Sequence, residues 1–541
     1  MNNIINKHKI HLILIIFLAA ILRFYRLDSV PPSLYWDEAS LGYNAYSIAT
    51  SLKDEHGEFL PLARFIAFGD YKPPGYIYAA AIAVRLFGLN ELAVRLPSVL
   101  AGIAIVYLVY LTILEIAKEK KKALLAALFT AFSPWALHLS RGAFEANLAA
   151  AFNLAGIYFF AKARKTGYFY LPSVIFFCLS FYTFNANRII APLMLLSLSL
   201  IYLKELLKNR SWYALAVAAG LIMLLPSTGF LKARESRLRM EEVSIFTNPQ
   251  PVESSNERIA LAGSGPAARL IHNRRWLFAA DYLKHYFDNF SGKFLFTHGD
   301  ANPRIHIQGM GELYYFDLAP VVIGLYLAAK YLRGYNLLFL AWLFIVPLPA
   351  AVARETPHAL RIVSAMPVFH WLSASGLLFI IQELRKKTAD FFIPLAAAVA
   401  LLFILNTALY LHNYHLHFAT KWSGEWQYGY KEMVKYVLER QNEYDNIFVT
   451  QSLGRPYIYF AFYQPFETEE FLMKKTAVRD WFGFYNVTAL GKIKFDLEKS
   501  TSSPGKTLLV VPDGDLPAGF NMLKTINNLS GRPAFIIAEK L

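Results

Sequence analysis

Among 541 residues there is a single cysteine, Cys178, and it lies inside an apolar run. One thiol excludes an intrachain disulfide and argues against a thiolate metal site. A lone cysteine among apolar residues behaves as a small hydrophobe. Charge is also scarce. Asp, Glu, Lys and Arg make up 17% of the chain, against roughly 25% in soluble domains. No stretch repeats at a solenoid or propeller period, and no tract is of low complexity. Lys7 and Lys9 precede the first apolar run, as in a signal peptide. Arg23 and Arg26 then stand where small residues for cleavage would be, so the reading is an uncleaved first helix.

What the sequence has is apolar length. Runs of about 15–22 residues recur, the mark of a multi-pass membrane protein. They fall at 10–27, 96–117, 123–140, 146–162, 169–184, 189–204, 211–229, 314–330, 335–351, 362–381 and 391–411. Basic clusters at 118–122, 162–165, 204–210, 330–333 and 385–387 all fall on the side of Lys7 and Lys9, which the positive-inside rule makes cytoplasmic. The net charge of +15 thus reports topology rather than nucleic-acid binding. The expected fold is a mainly α membrane protein of about eleven transmembrane helices in the cytoplasmic membrane. Its N-terminus is cytoplasmic and its tail extracytoplasmic. The mainly apolar 14-residue segment Gly75–Gly88 makes a helix of about 21 Å, too short for a core of roughly 30 Å. It is read as a juxtamembrane or re-entrant helix on the outer face.

Two domains are expected: a membrane domain over 1–411 and a small soluble α/β domain over 412–541. In the first, the outer loops 28–95 and 230–313 stand out, and Ala267–Phe290 has the pattern of an interfacial amphipathic helix. In the second, β-rich runs at Asn446–Thr450, Thr507–Val511 and Ala534–Ala538 accompany a helical pattern near Tyr430–Arg440.

The unusual charge collects at the outer ends of the apolar runs, where ionisable residues suggest function. Tyr35-Trp36-Asp37-Glu38 lies near the start of the first outer loop, and Asp70-Tyr71-Lys72-Pro73-Pro74 follows within it. Transfer of a sugar to a hydroxyl needs a base for the hydroxyl proton and positive charge where the leaving phosphate develops. Asp37 is the candidate base, with Glu38 orienting it or the acceptor. Lys72, Arg141, Arg188, Arg354, His358 and Arg361 are candidates for the phosphate, arginine for its bidentate match. His358 and Arg361 would share a helix face near the start of a span. Tyr35, Trp36, Asp70, Glu145, Asp300 and His306 are candidates for the sugar or acceptor pocket. His412, His415 and His417 read as interfacial histidines rather than metal ligands. No cofactor is called for; a divalent cation on Asp37 and Glu38 is the lesser reading, since one adjacent pair lacks a partner cluster.

The ordered set Trp36-Asp37-Glu38, Tyr71-Lys72-Pro73-Pro74-Gly75, Glu91-Leu92-Ala93-Val94-Arg95-Leu96-Pro97-Ser98 and Ser140-Arg141-Gly142-Ala143-Phe144-Glu145 resembles the GT-C superfamily. More narrowly, it resembles the branch of protein O-mannosyltransferases and the lipid A aminoarabinose transferase, over residues 10–410. The resemblance implies a polytopic, inverting enzyme that uses a polyprenyl-phosphate-linked monosaccharide and a hydroxyl acceptor. It also implies that Asp37 is the catalytic acid position and that Lys72 meets the lipid phosphate. The tail does not match that of the eukaryotic mannosyltransferases, which leaves the acceptor open among protein, lipid and glycan. Two alternatives stand beside this reading. Trp426-Gln427-Tyr428-Gly429 faintly resembles the sequon-reading motif of oligosaccharyltransferases, and a transporter or flippase of lipid-linked sugars would share the apolar architecture.

Overall fold

The computed structural model describes residues 2–68, 70–233, 235–387, 392–479 and 485–541. It begins with helix α1 (Asn2–Phe24), helix α2 (Trp36–Ser51), strands β1 (Phe65–Ala67) and β2 (Asp70–Lys72), and helices α3 (Gly75–Phe87) and α4 (Glu91–Ala117). The chain divides into two compact units. One contains Met1–Leu22, Ala101–Leu139 and Ala146–Ala408; the other contains Arg23–Leu100, Ser140–Glu145 and Leu409–Leu541. The expected boundary at 411/412 falls near one of these breaks. The first outer loop, however, lies in the same unit as the tail.

The first unit is helical. Helices Leu318–Lys330 and Met366–Lys387 approach closely because glycines face backbone. A Cβ at Gly324 or Gly376 would collide with the backbone of Leu372 or Pro320, the small-residue contact typical of membrane helices. Among the described residues, three helical stretches are long and apolar enough to cross a membrane: Glu91–Ala117, Val363–Lys386 and Ala396–Trp422. The pair Tyr315–Lys330 and Tyr335–Ala350, bent by 120°, would make a fourth. Other expected spans emerge as shorter apolar helices, Gly167–Phe181, Asn187–Ile201 and Arg210–Leu224, about 22 Å long at 15 residues. The run expected at 123–140 breaks at Ser133 into Lys120–Phe132 and Pro134–Leu139. The expected amphipathic helix also forms in two pieces, Pro266–Ile271 and Arg274–Asp288. Asn273 caps the second by accepting from the Arg275 N–H, and Trp276, Leu283 and Phe287 stand exposed on it.

The second unit contains a seven-stranded mixed sheet. Its strands are β3 (Asn446–Val449), β4 (Lys475–Arg479), β5 (Tyr485–Leu490), β6 (Ile493–Lys494), β7 (Thr507–Val511), β8 (Asn521–Asn527) and β9 (Pro533–Lys540). They are ordered β4-β5-β6-β3-β7-β9-β8. Central β3 runs parallel to both neighbours, and the outer pairings are antiparallel. Phe448, Leu509, Val511, Phe520, Ile536 and Ala538 form a core on one face. Buried β-branched and aromatic residues suit a covered sheet. Helix Pro456–Tyr463 follows β3 and packs on α2. Gly42 permits the contact, since a Cβ there would lie 2.5 Å from the Phe462 ring and 2.7 Å from Val94 Cγ2. Helix α3 is apolar on both faces: Tyr76, Ile77, Ala80 and Val84 are buried, whereas Ile82, Leu86 and Phe87 are exposed.

Candidate active site

The acidic pair occupies the first turn of α2, where the helix dipole favours negative charge. Consecutive helical residues point about 100° apart, so the two carboxylates diverge. Glu38 is fully buried. Its Oε1 accepts from Arg95 Nε at 3.0 Å and from the Ala143 N–H at 2.7 Å, and its Oε2 accepts from Arg95 Nη2 at 3.0 Å. Arg95 also donates to the carbonyls of Leu27, Pro31 and Ser33. This bidentate pair therefore ties the first outer loop to α4 and to the 142–144 turn.

Asp37 faces a different environment. Its Oδ1 accepts from Lys72 Nζ at 2.5 Å, and its Oδ2 from Trp36 Nε1 at 3.1 Å. The side chains are 31% and 10% exposed, so solvent reaches this pair but not Glu38–Arg95. Lys72 reaches Asp37 from the β1–β2 hairpin, in which it lies opposite Phe65. Pro73 and Pro74 end the strand, and α3 begins at Gly75. Because Glu38 is enclosed by Arg95 and Ala143 while Asp37 faces an ammonium, the two carboxylates do not form a shared site for a divalent cation.

Arg141 belongs to the same unit but is buried as scaffold. It donates to the carbonyls of Arg23, Tyr25 and Val30 and to the Tyr414 hydroxyl. The phosphate role expected for it meets donors already engaged with backbone. Tyr35 is also buried, 5.5 Å from the Trp426 ring and 6.1 Å from Phe144. Glu145 starts helix Glu145–Ala163 and is half-buried. Asp70 pairs with Ala67 in the hairpin, and its side chain lies outside the described residues.

The remaining candidates lie in the helical unit. Asp300 is a buried structural group that accepts from the N–H groups of Asn302 and Ala359. Burial and nearby Glu312 push its carboxyl up to about 6. His306 is enclosed and lies 3.3 Å from Glu312. Burial alone would lower it, but the Glu312 carboxylate outweighs that, and its pKa is raised. His358 lies 3.6 Å from Asp300, and burial followed by Arg361 holds it well below the usual imidazole value. The helix face expected to carry His358 and Arg361 does not form. Residues 359–362 form a turn, and the long helix begins at Met366. Asn289 accepts from the His358 N–H and Asp300 from the Ala359 N–H, which hold the backbone in that turn. Arg361 donates to the Glu355 carbonyl. Arg354 donates to Ser244 and Thr247. Arg188 lies over the rings of Phe181 and Phe230.

A second buried polar cluster, which sequence reasoning missed, anchors the first outer loop. Glu55 accepts from Asn44 Nδ2 at 3.2 Å and lies 3.5 Å from the Tyr457 hydroxyl, while Lys475 donates to its carbonyl. Burial pushes Glu55 up to about 7, opposed by Lys475. Neighbouring His56 is held down to about 3, by burial first and then by Lys475 and Arg64.

Residues 13–236 match the model of the dolichyl-phosphate-mannose-protein mannosyltransferase family. No curated protein matches the sequence. Among solved structures, ArnT from Cupriavidus metallidurans bound to undecaprenyl phosphate is similar at 13% identity and a TM-score of 0.52, over 98% of each chain. Its apo state is similar at 12% identity and a TM-score of 0.51, over 100% of this chain and 98% of that one. The Archaeoglobus fulgidus oligosaccharyltransferase in complex with zinc and sulfate gives 14% identity and a TM-score of 0.51, over 84% of this chain and 61% of its own. In its N-terminal portion the chain carries the pattern of the mannosyltransferase family, along its length it has the fold of ArnT, and it resembles the GT-C glycosyltransferases of that branch.

Proposed function

We propose that this chain is a membrane glycosyltransferase that moves a monosaccharide from a polyprenyl-phosphate carrier to an acceptor hydroxyl. The observation that carries the reading is the Asp37–Lys72 pair, a partly exposed carboxylate 2.5 Å from the ammonium of a buried lysine. In the resting protein each neutralises the other. A donor phosphate competes for Lys72 and leaves Asp37 as a base beside the sugar. The acceptor oxygen then attacks the anomeric carbon while its proton passes to Asp37. The bond from that carbon to the phosphate oxygen breaks, and the polyprenyl phosphate leaves with its charge met by Lys72. Attack opposite the leaving group inverts the anomeric centre. Glu38 and Arg141 act through the backbone they hold, keeping α2 and the first loop in place. The family match and the ArnT-like fold support the reaction class. The mannosyl specificity suggested by the family description remains part of the proposal.

The proposed topology places the N-terminus in the cytoplasm and the catalytic motif and tail on the outer face of the cytoplasmic membrane, with eleven crossings. The basic clusters support it, and helices shorter than the bilayer core would be accommodated by local thinning and flanking turns. Proteoliposomes loaded with labelled polyprenyl-phosphate mannose and given a cell-envelope extract test the reaction class. The proposal expects released polyprenyl phosphate and label in a new glycosidic product. Label that crosses the bilayer still attached to its carrier would identify a transporter instead.

A further inference from the structure

The first residue of α2 poses a question that its own sequence does not answer. Helix N-termini leave backbone N–H groups without intrahelical partners, and the preceding residue, Tyr35, supplies no side-chain acceptor. The acceptor comes from 391 positions away: the Trp36 N–H donates to Gln427 Oε1 at 2.8 Å. Gln427 is itself held on every side. Its Oε1 lies 2.6 Å from the Tyr459 hydroxyl, and its Nε2 donates to the Leu453 carbonyl at 2.9 Å, which fixes the orientation of the amide. Its backbone sits in the left-handed region at φ 55°, an uncommon conformation for a residue with a side chain.

The Leu453 carbonyl belongs to the loop that leaves the carboxyl end of β3. Its next residue, Gly454, has φ +133°, and a Cβ there would lie 2.8 Å from the Trp36 indole and closer still to Gln427 Nε2. The loop therefore closes directly onto the indole. Trp36 is held at its backbone by Gln427 and at its ring by Gly454, and its Nε1 donates to Asp37 Oδ2.

We propose that Gln427, with Gly454, is the positioning element of Asp37: it caps α2 from the C-terminal segment and, through Trp36, sets where the Asp37 carboxylate meets Lys72. This rests on the reading of Asp37 as base. The tail is then a structural part of the active site, whatever acceptor it also handles. Misplacing a reacting group by about 1 Å can lower the rate on the order of 10²-fold.

The test compares Gln427→Met, which removes the acceptor at similar volume, Gln427→Glu, which keeps the acceptor oxygen while giving up the donor to Leu453, and Gly454→Ala, whose Cβ presses on both the Gln427 amide and the indole. Two readouts need no substrate: hydrogen exchange at the Trp36 amide and the rate at which an amine reagent modifies Lys72 in the full-length protein. The expected result for Gln427→Met is Trp36 exchange raised at least tenfold and Lys72 modification raised several-fold, with the thermal midpoint close to wild type. Gln427→Glu should return Trp36 exchange toward wild type. Gly454→Ala, which presses on the Gln427 amide as well as on the indole, should raise both Lys72 modification and exchange at the Trp36 amide. In transfer from polyprenyl-phosphate mannose, kcat should fall about 10²-fold in Gln427→Met at unchanged donor KM. Unchanged Lys72 modification in both Gln427→Met and Gly454→Ala would overturn the proposal, as would full kcat in a Gln427→Met protein whose Trp36 amide has opened. Wild type without transfer would count against the glycosyltransferase reading, while Lys72 modification would still decide the positioning role.

Discussion

Arg95→Met is the substitution whose cost the structure fixes most closely. Both members of the Glu38–Arg95 pair are fully buried, so removing the guanidinium leaves a carboxylate with no solvent to receive it. The Leu27, Pro31 and Ser33 carbonyls lose their donor at the same time. Breaking a buried pair from one side costs about 3–5 kcal/mol, and each unsatisfied buried carbonyl adds on the order of 1 kcal/mol. Glu38→Gln is milder, because an amide oxygen can still accept from the Ala143 N–H and Arg95 keeps its carbonyls. The double variant Arg95→Met/Glu38→Met replaces the ions with apolar side chains and should recover part of the loss, with a coupling energy of roughly 0.5–3 kcal/mol. The assay is the thermal midpoint of the purified protein in one detergent, with hydrogen exchange over residues 27–33 and at Ala143 to locate the opening. The expected order of stability is wild type, Glu38→Gln, the double variant, then Arg95→Met. An Arg95→Met protein that melts with wild type, or a double variant no more stable than Arg95→Met, would refute the reasoning.

Three further outcomes follow from other parts of the molecule. Glu55, raised to about 7 from 4.5, keeps its proton longer when folded, so its contribution is full below pH 4.5 and is lost as pH rises to about 7. His56, held at about 3 from 6.5, resists protonation when folded, so its contribution is lost as pH falls from 6.5 toward 3. The midpoint should therefore be flat between about pH 4.5 and 6.5 and fall on both sides. Glu55→Gln should remove the alkaline fall and His56→Gln the acid one; a pH profile unchanged by either would sink this account. Gly42→Ala places a methyl against Phe462 and Val94 and should cost about 1–3 kcal/mol by overpacking, read as a lower midpoint, whereas an unchanged midpoint would mean that the α2 contact has slack. A cysteine at Lys120 in a Cys178→Ser background should escape an impermeant thiol reagent in intact cells and react after lysis; labelling in intact cells would invert the proposed topology.

Much of the architecture was legible because it rests on local composition. Apolar runs mark helices, and β3, β7 and β9 announce themselves as short runs rich in buried β-branched residues. Edge strands β4 and β8 escaped notice because Lys-Thr-Ala-Val-Arg and Asn-Met-Leu-Lys-Thr-Ile-Asn mix polar with apolar residues and lack an in–out alternation, with Val478, Met522 and Leu523 among their exposed positions. The apolar run at 123–140 carried no signal of its break at Ser133 apart from the proline that follows. In the candidate site, Asp37 and Lys72 could be picked out because a carboxylate pair and a Lys-Pro-Pro run are locally unusual. That Glu38 is the enclosed carboxylate and Asp37 the one that meets Lys72 could not. Which carboxylate is buried depends on the rotational phase of α2 and on Arg95, 57 positions from Glu38. Arg141 looked like a phosphate ligand because its carbonyl partners are invisible in sequence. Gln427 gave no local sign of capping a helix 391 positions away.

The central claim is tested most directly by Asp37→Asn in proteoliposomes, with transfer from polyprenyl-phosphate mannose and binding of polyprenyl monophosphate measured on one preparation. An amide can still accept from Trp36 Nε1 but cannot take the acceptor's proton at the reaction's pH. The account predicts transfer reduced by about 10²–10⁴-fold, with carrier phosphate binding retained because Lys72 remains. Transfer within a few-fold of wild type in the folded variant would contradict the assignment of Asp37 as the base.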